Sequence, residues 1–319
     1  MADASVRYLT RADVEAVGLT GLEVLEILDG VFTAKREGAV EMPPKTDVHP
    51  REDAFVHAMP AYIASSDVVG IKWVAGYPDN RKLGLPYVHG LFVLIDAATG
   101  RPLAVMDATW LTEVRTAAAS MLGLRALAER PVEAIGIIGC GRQGTVHLEL
   151  AEQVFPTLAR VALFDRHPER AEALAASHPG LDVTVASSAE EIAAGADVVI
   201  TTAAIVRRPG RPLGRAQLGH ATVACAVDFD ASLSEDLFED AALFVVDDVR
   251  QYRHYMEQGY FGGYPDDPVE LCDALDPDAS HPAGLRVFVP LGIALEDVAV
   301  AAEVNRRASE SGLGIELPL

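Results

Sequence analysis

Between residues 20 and 37 the apolar positions Leu22, Leu25, Ile27, Leu28, Val31 and Phe32 fall near helical spacing, and Thr20 with Glu23 makes a capping box, so an amphipathic helix is predicted. From 54 to 108 the pattern shortens to β-rich runs, AFVHAM, VVGIKWVAG, YVHGLFVLID and PLAVMDA, divided by the turn-forming stretches PDNRKLGLP and AATGRP. An antiparallel meander follows from that alternation. TWLTEVRTAAASMLGLRALAE, rich in Ala and Leu and free of Pro, then reads as a long helix leading out of a first domain that ends near residues 125–132. Beyond it apolar strands alternate with helical segments: EAIGIIG, RQGTVHLELAEQV, RVALFD, PERAEALAAS, VTVA, SAEEIAAG, DVVITTA, ATVACAV and ALFVVDD. Such alternation predicts a doubly wound parallel sheet. The fold class expected is therefore α/β, a Rossmann sheet joined to a smaller α+β domain.

Composition narrows the partners. The chain has 319 residues, long for one compact domain, which suggests two domains sharing a cleft. Half of the residues are hydrophobic, too many for a disordered chain. Acidic residues outnumber basic ones 47 to 26, a formal charge of −21, and this field repels phosphate backbones and anionic membranes. Neither nucleic acid nor a membrane is an expected partner. The first residues carry charge without an apolar signal core, and no run approaches the roughly 20 apolar residues that span a bilayer. Cys140, Cys225 and Cys272 are odd in number and far apart, which suits a reducing compartment, so a cytoplasmic location is expected. With the histidines scattered and no HExxH, no metal site is expected.

The sharpest local motif is Gly139-Cys140-Gly141-Arg142-Gln143-Gly144, which follows an apolar strand and opens a helix. The three glycines allow a tight turn, close backbone approach to a pyrophosphate, and close packing of helix on strand. Asp165, ending the next strand, stands where a carboxylate accepts the adenosine ribose hydroxyls and repels a 2′-phosphate, which favours NAD. The adjacent Arg166 could neutralise that phosphate, leaving NADP open. A glycine turn in a non-binding α/β domain is the plain alternative. Three basic side chains of the first domain also stand out: Lys45, Lys72 and Arg115. Lys72 interrupts an apolar strand, where an ammonium must be paired, functional or turned to solvent. Arg115 lies on an alanine-rich helix, where its fork could clasp a carboxylate or pair within the helix.

At this point the chain resembles the ornithine cyclodeaminase/μ-crystallin family, which also contains alanine dehydrogenases and ketimine reductases. The resemblance rests on GIKWVAGYPDN, GLFVLIDAATGRPLAVMDATWLTEVRTAAAS, GIIGCGRQG and GIALEDVAVA, in that order over nearly the whole length. It implies a homodimer joined through the first domains, with a substrate-binding and dimerisation domain over 1–128, a Rossmann domain over 129–294, and a last helix, 295–319, returning to the first domain. It implies further that Lys72 and Arg115, assisted by Lys45, hold the carboxylate of an amino acid or imine substrate. The family's catalytic aspartate falls on Asp228, with Asp230 the other candidate, and Thr201 and Thr202 match a hydroxyl-bearing strand end beside the cofactor. β propensity alone is the alternative for the two threonines. Lys72 counts among the catalytic groups, and Arg142, Gln143 and Arg166 among those facing the cofactor.

The activity so implied is NAD(P)-dependent chemistry at the C–N bond of an L-α-amino acid, first as an ornithine cyclodeaminase, otherwise as an amino-acid dehydrogenase or ketimine reductase. A non-catalytic μ-crystallin-like binding protein is the reading from another class. Ornithine-specific members place a glutamate shortly before Met-Pro to meet the distal amine, where this chain has His57-Ala58-Met59-Pro60. Tyr87 and His89 likewise stand where small hydroxyl residues are common. No catalytic role is assigned to His57 or His89.

Overall fold

The computed structural model describes residues 5–193, 195–206, 209–219 and 221–319. They form two compact units, one made of the chain up to Arg115 together with Gly292–Leu319, the other of Thr116–Leu291. The division by chain contacts falls inside the helix Thr109–Leu127, whereas the sequence pattern puts it near that helix's end.

In the first unit the strands Phe55–Ile63, Val68–Gly76, Val88–Asp96 and Pro102–Asp107 pair in succession, each antiparallel to the last, as the meander requires. Short edge pieces that carry too few residues for a visible period extend it. Ser5–Leu9 runs parallel to Pro102–Asp107, Ile315–Pro318 closes that side, and Thr46–Val48 and Val40–Glu41 pair with Phe55–Ile63. Because side chains alternate across a sheet, the register aligns Met59, Lys72, Phe92 and Met106 in one row on one face. All four are buried, and the helix Ala294–Ser311 packs against these strands. The opposite face carries the paired Trp73 and Leu91, which stay 43% and 39% exposed. The helix Gly21–Arg36 begins with the capping box expected of Thr20 and Glu23.

The second unit is an eight-stranded sheet in which every pairing is parallel. Its order is Asp182–Val185, Arg160–Phe164, Ala134–Ile138, Val198–Thr201, Val223–Ala226, Arg286–Val289, Leu243–Val246 and Val269–Glu270. The central strands are buried at every residue, which explains their unbroken apolar runs. Arg286–Val289 inserts between two strands that precede it in sequence, and its four residues next to Pro290 give no periodic signal. Beyond the sheet, Phe229, Tyr252, Tyr255, Phe261 and Tyr264 pack into an aromatic cluster.

Candidate active site

In the first unit the decisive group is Lys72, whose side chain is wholly shielded from solvent in the middle of an apolar row. An ammonium in that position has to be compensated. Asp297 Oδ2 lies 2.7 Å from Lys72 Nζ, and Nζ also donates to Thr112 Oγ1 at 3.3 Å. The same carboxylate accepts from Arg115 Nε through Oδ1 at 3.1 Å, while Arg115 Nη1 donates to Glu296 Oε2 at 2.8 Å. Glu296 and Asp297 sit in the first turn of Ala294–Ser311, where the helix dipole favours negative charge. Gly292 adopts φ +71°, and a side chain there would strike the Arg115 guanidinium. That segment of backbone is thus shaped to let the arginine lie along it.

Lys72 and Arg115 are therefore brought together, both buried and both bonded to Asp297. Burial, and then the neighbouring Arg115, push Lys72 down to about 7 against the pull of Asp297, and Lys45 adds to the downward push. Lys45 is itself buried. Glu113, on the same helix, accepts from Arg11 at 3.1 Å. Glu296 and Asp297 escaped sequence reasoning as site residues. The one signal that could have found them is two adjacent acids opening an otherwise apolar helix, in LEDVAVAA.

In the second unit the glycine loop has the shape a pyrophosphate needs. Gly139 stands at φ +93° with Thr202 O 2.7 Å from where a Cβ would be, and a Cβ on Gly144 would collide with Gly139 O. Gly141 faces open space, and the helix Arg142–Val154 starts directly after it with no side-chain cap at Gly141, which leaves its first turn as an anion-favouring end. The side-chain amide of Gln143 carries a buried oxygen without a partner among the described residues. These features fit a dinucleotide. Arg142 and Arg166 are exposed. Asp165 accepts from Cys140 N–H through Oδ2 and from His167 N–H through Oδ1, each at 2.9 Å, so it also clamps the loop.

Thr202 Oγ1 donates to Gly139 O at 2.6 Å, which ties the strand end to the loop. Thr201 Oγ1 donates to Asp228 Oδ1 at 2.5 Å, and Asp228 Oδ2 accepts from Ser232 Oγ at 2.7 Å and Ala203 N–H at 3.0 Å. Both threonines thus have hydrogen-bonding work beyond β propensity. Burial raises the Asp228 carboxyl above the usual carboxylate range, against those three donors. Asp230 has different company: Arg211 Nη2 at 2.5 Å and Phe261 N–H at 3.0 Å both meet its Oδ2. Among the described residues no group of three or more His, Cys, Asp or Glu is placed to hold a metal, and no helix is long and apolar enough to cross a membrane.

A family description, ornithine cyclodeaminase/mu-crystallin family, matches residues 6–312. The chain belongs to that family. It is similar to the nodulation efficiency protein NfeD of Rhizobium meliloti, with 34% identity and 98% of each chain covered. It is also similar to an alanine dehydrogenase of Archaeoglobus fulgidus, at 30% identity over 97% of each. Among solved structures, the Δ1-pyrroline-2-carboxylate reductase of Thermococcus litoralis, in complex with NADH and L-proline, superimposes with a TM-score of 0.85. The identity there is 26%, covering 98% of this chain and all of that one. Family membership accounts for the pairing of a Rossmann sheet with an antiparallel unit.

Proposed function

We propose that this chain is an NAD(P)-dependent oxidoreductase that interconverts an L-α-amino acid and its imine. The observation that carries the reading is Lys72: an ammonium buried in an apolar row, braced by Asp297 and Thr112 and set beside the Arg115 guanidinium through the same Asp297 carboxylate. Arg115, held rigid by Glu296 and Asp297, supplies a fork for the same carboxylate, with Lys45 assisting. A dead site has no need to pay the desolvation of such charges, which argues against a purely structural protein.

The NAD(P) that the glycine loop, Asp165 and Thr202 would hold supplies the hydride acceptor, or the donor in reverse. The remaining work falls to side chains. Lys72 and Arg115 fix the carboxylate and so the position of the neighbouring Cα. Asp228, raised by burial, takes a proton from the α-ammonium, which frees the nitrogen lone pair to form the C=N bond as Cα gives up its hydride. Water then releases an oxo acid and ammonia. In a diamino acid the distal amine attacks the imine carbon instead and expels ammonia, leaving a cyclic imine to which the bound NAD(P)H would return the hydride; this is the cyclodeaminase outcome. His57, on the Lys72 face two residues from Met59 and stacked on Phe55 at 4.3 Å, puts an imidazole rather than a carboxylate on that stretch of the strand. That favours the dehydrogenase and imine-reductase directions.

The proposed assembly is a homodimer, and the exposed Trp73 and Leu91, paired on the sheet face opposite Lys72, support burial of that face against a second copy. The experiment is incubation of the protein with NAD or NADP and a panel of L-amino acids, and with NADH or NADPH and cyclic imines, following NADH absorbance and ammonia. NADH and ammonia together mean dehydrogenation, ammonia without accumulating NADH means cyclodeamination, and no turnover with any amino acid or imine defeats the reading.

A further inference from the structure

Three residues other than glycine hold left-handed backbone within one small region of the second unit: Arg211 at φ +45°, Phe229 at +61° and Phe261 at +59°. A bulky aromatic side chain in that conformation is strained, and such strain persists only where neighbouring contacts enforce it. All three meet at Asp230. Its Oδ2 accepts from Arg211 Nη2 and from Phe261 N–H, and its backbone carbonyl accepts from Arg211 Nε at 3.2 Å. Arg211 reaches on to Glu235 Oε2 and Gly262 O, both at 2.8 Å, and lies over the Tyr264 ring. Backbone bonds from Arg211 N–H to Ala231 O and from Leu213 N–H to Ser232 O run beside it.

Phe229 is the hinge between this knot and Asp228. A residue at φ +61° sends the chain back on itself, so that Ser232 closes over Asp228 and donates to Oδ2. We propose that Asp230 is a positioning residue: its bonds to Arg211 and to the Phe261 N–H hold Phe229 in the left-handed state, and this sets the Asp228 carboxylate between Thr201 and Ser232. Asp230 acts through Asp228. Its oxygen is committed to a guanidinium and a backbone donor, the setting of an anchor.

The proposal builds on Asp228 as the proton acceptor, and the test separates the two. Asp230→Asn keeps the shape of the side chain and removes its charge, while Phe229→Gly lets the backbone adopt a positive φ without an anchor. In the full-length protein, Asp230→Asn is expected to lower kcat at least tenfold with KM within about twofold, to shift the acid limb of the pH profile, and to speed hydrogen exchange over 227–234. In the Phe229→Gly background the same substitution is expected to cost less than threefold, with exchange over that segment returned towards the unsubstituted level. An Asp230→Asn protein with unchanged kcat, pH profile and exchange overturns the proposal. So does an equal loss in both backgrounds, the mark of a role in folding alone. If no amino acid or imine turns over, the oxidoreductase reading falls, and the exchange measurements still decide the role of Asp230.

Discussion

Lys72 and Arg115 share one carboxylate: Asp297 meets the ammonium through Oδ2 and the guanidinium through Oδ1. Two like charges are held side by side only because this acid lies between them, so its loss leaves them repelling in a medium that screens little. Asp297→Asn is expected to destabilise the fold by about 3–5 kcal/mol, the usual cost of breaking a buried pair, and to raise KM for the amino acid. Lys72→Ala and Arg115→Ala are expected to abolish turnover while dinucleotide binding, followed by NADH fluorescence, stays near that of the unsubstituted protein. Full activity in either alanine variant would remove the carboxylate clamp from consideration.

The lowered Lys72 also fixes a pH dependence. In the unliganded protein it is protonated below about 7 and neutral above, and only the ammonium attracts a carboxylate. Binding of a simple carboxylate such as propionate is therefore expected to be strongest below pH 7. It should then weaken by up to about tenfold per unit as pH rises through that value, until the raised value in the complex is reached. Calorimetric titration between pH 6 and 9 reads this directly. A flat profile means that Lys72 does not hold the anion.

Much of this arrangement was legible in the chain because it is local. GCGRQG, the strand before it and Asp165 after it lie within one stretch, and a lysine inside GIKWVAG is conspicuous wherever it stands. What sequence could not supply is pairing across 182 positions between Arg115 and Asp297: Arg115 stands out by itself but does not name its partner, and their meeting depends on a helix that returns from the far end of the chain. Asp228 and Asp230 are alike in CAVDFDASLSE, and only their partners, two hydroxyls and a backbone N–H for one and a guanidinium with a backbone N–H for the other, tell them apart. The strand Arg286–Val289 is silent in the sequence for a similar reason, since four residues carry no period and its place in the sheet is set by neighbours distant in sequence.

His147 offers a test of stability. It is fully buried on the helix that follows the glycine loop, with Nδ1 against Gln143 O at 2.8 Å and Nε2 against Ser120 Oγ at 2.9 Å. Nδ1 beside a carbonyl must carry the proton and burial keeps the ring neutral, so Nε2 and Thr116 O, the latter 3.0 Å from Ser120 Oγ, share the one serine proton. Burial lowers its pKa from 6.5 to about 4. Between those values the unfolded chain binds a proton that the folded chain refuses, so stability falls as pH drops from 6.5 towards 4, by about 3 kcal/mol in full. Chemical denaturation at pH 7 and pH 4.5 should show a smaller loss for His147→Gln than for the unsubstituted protein, and equal losses would mean that this ring does not set the acid limit.

Gly141 and Gly144 separate the demands of the fold from those of the ligand. A methyl group on Gly144 would run into Gly139 O, in a turn already pinned by Thr202, so Gly144→Ala must move the backbone and is expected to lower Tm with or without dinucleotide. Gly141 has nothing within 4 Å of the same position, so Gly141→Ala should fold as stably as the unsubstituted protein. The open space beside Gly141 is where a pyrophosphate would approach the backbone, and a methyl group there blocks it. Gly141→Ala is thus expected to keep its Tm in the absence of ligand, lose most of the stabilisation that added NADH gives, and weaken NADH binding at least tenfold. Equal NADH affinity for Gly141→Ala and the unsubstituted protein would mean that the pyrophosphate does not lie against this glycine.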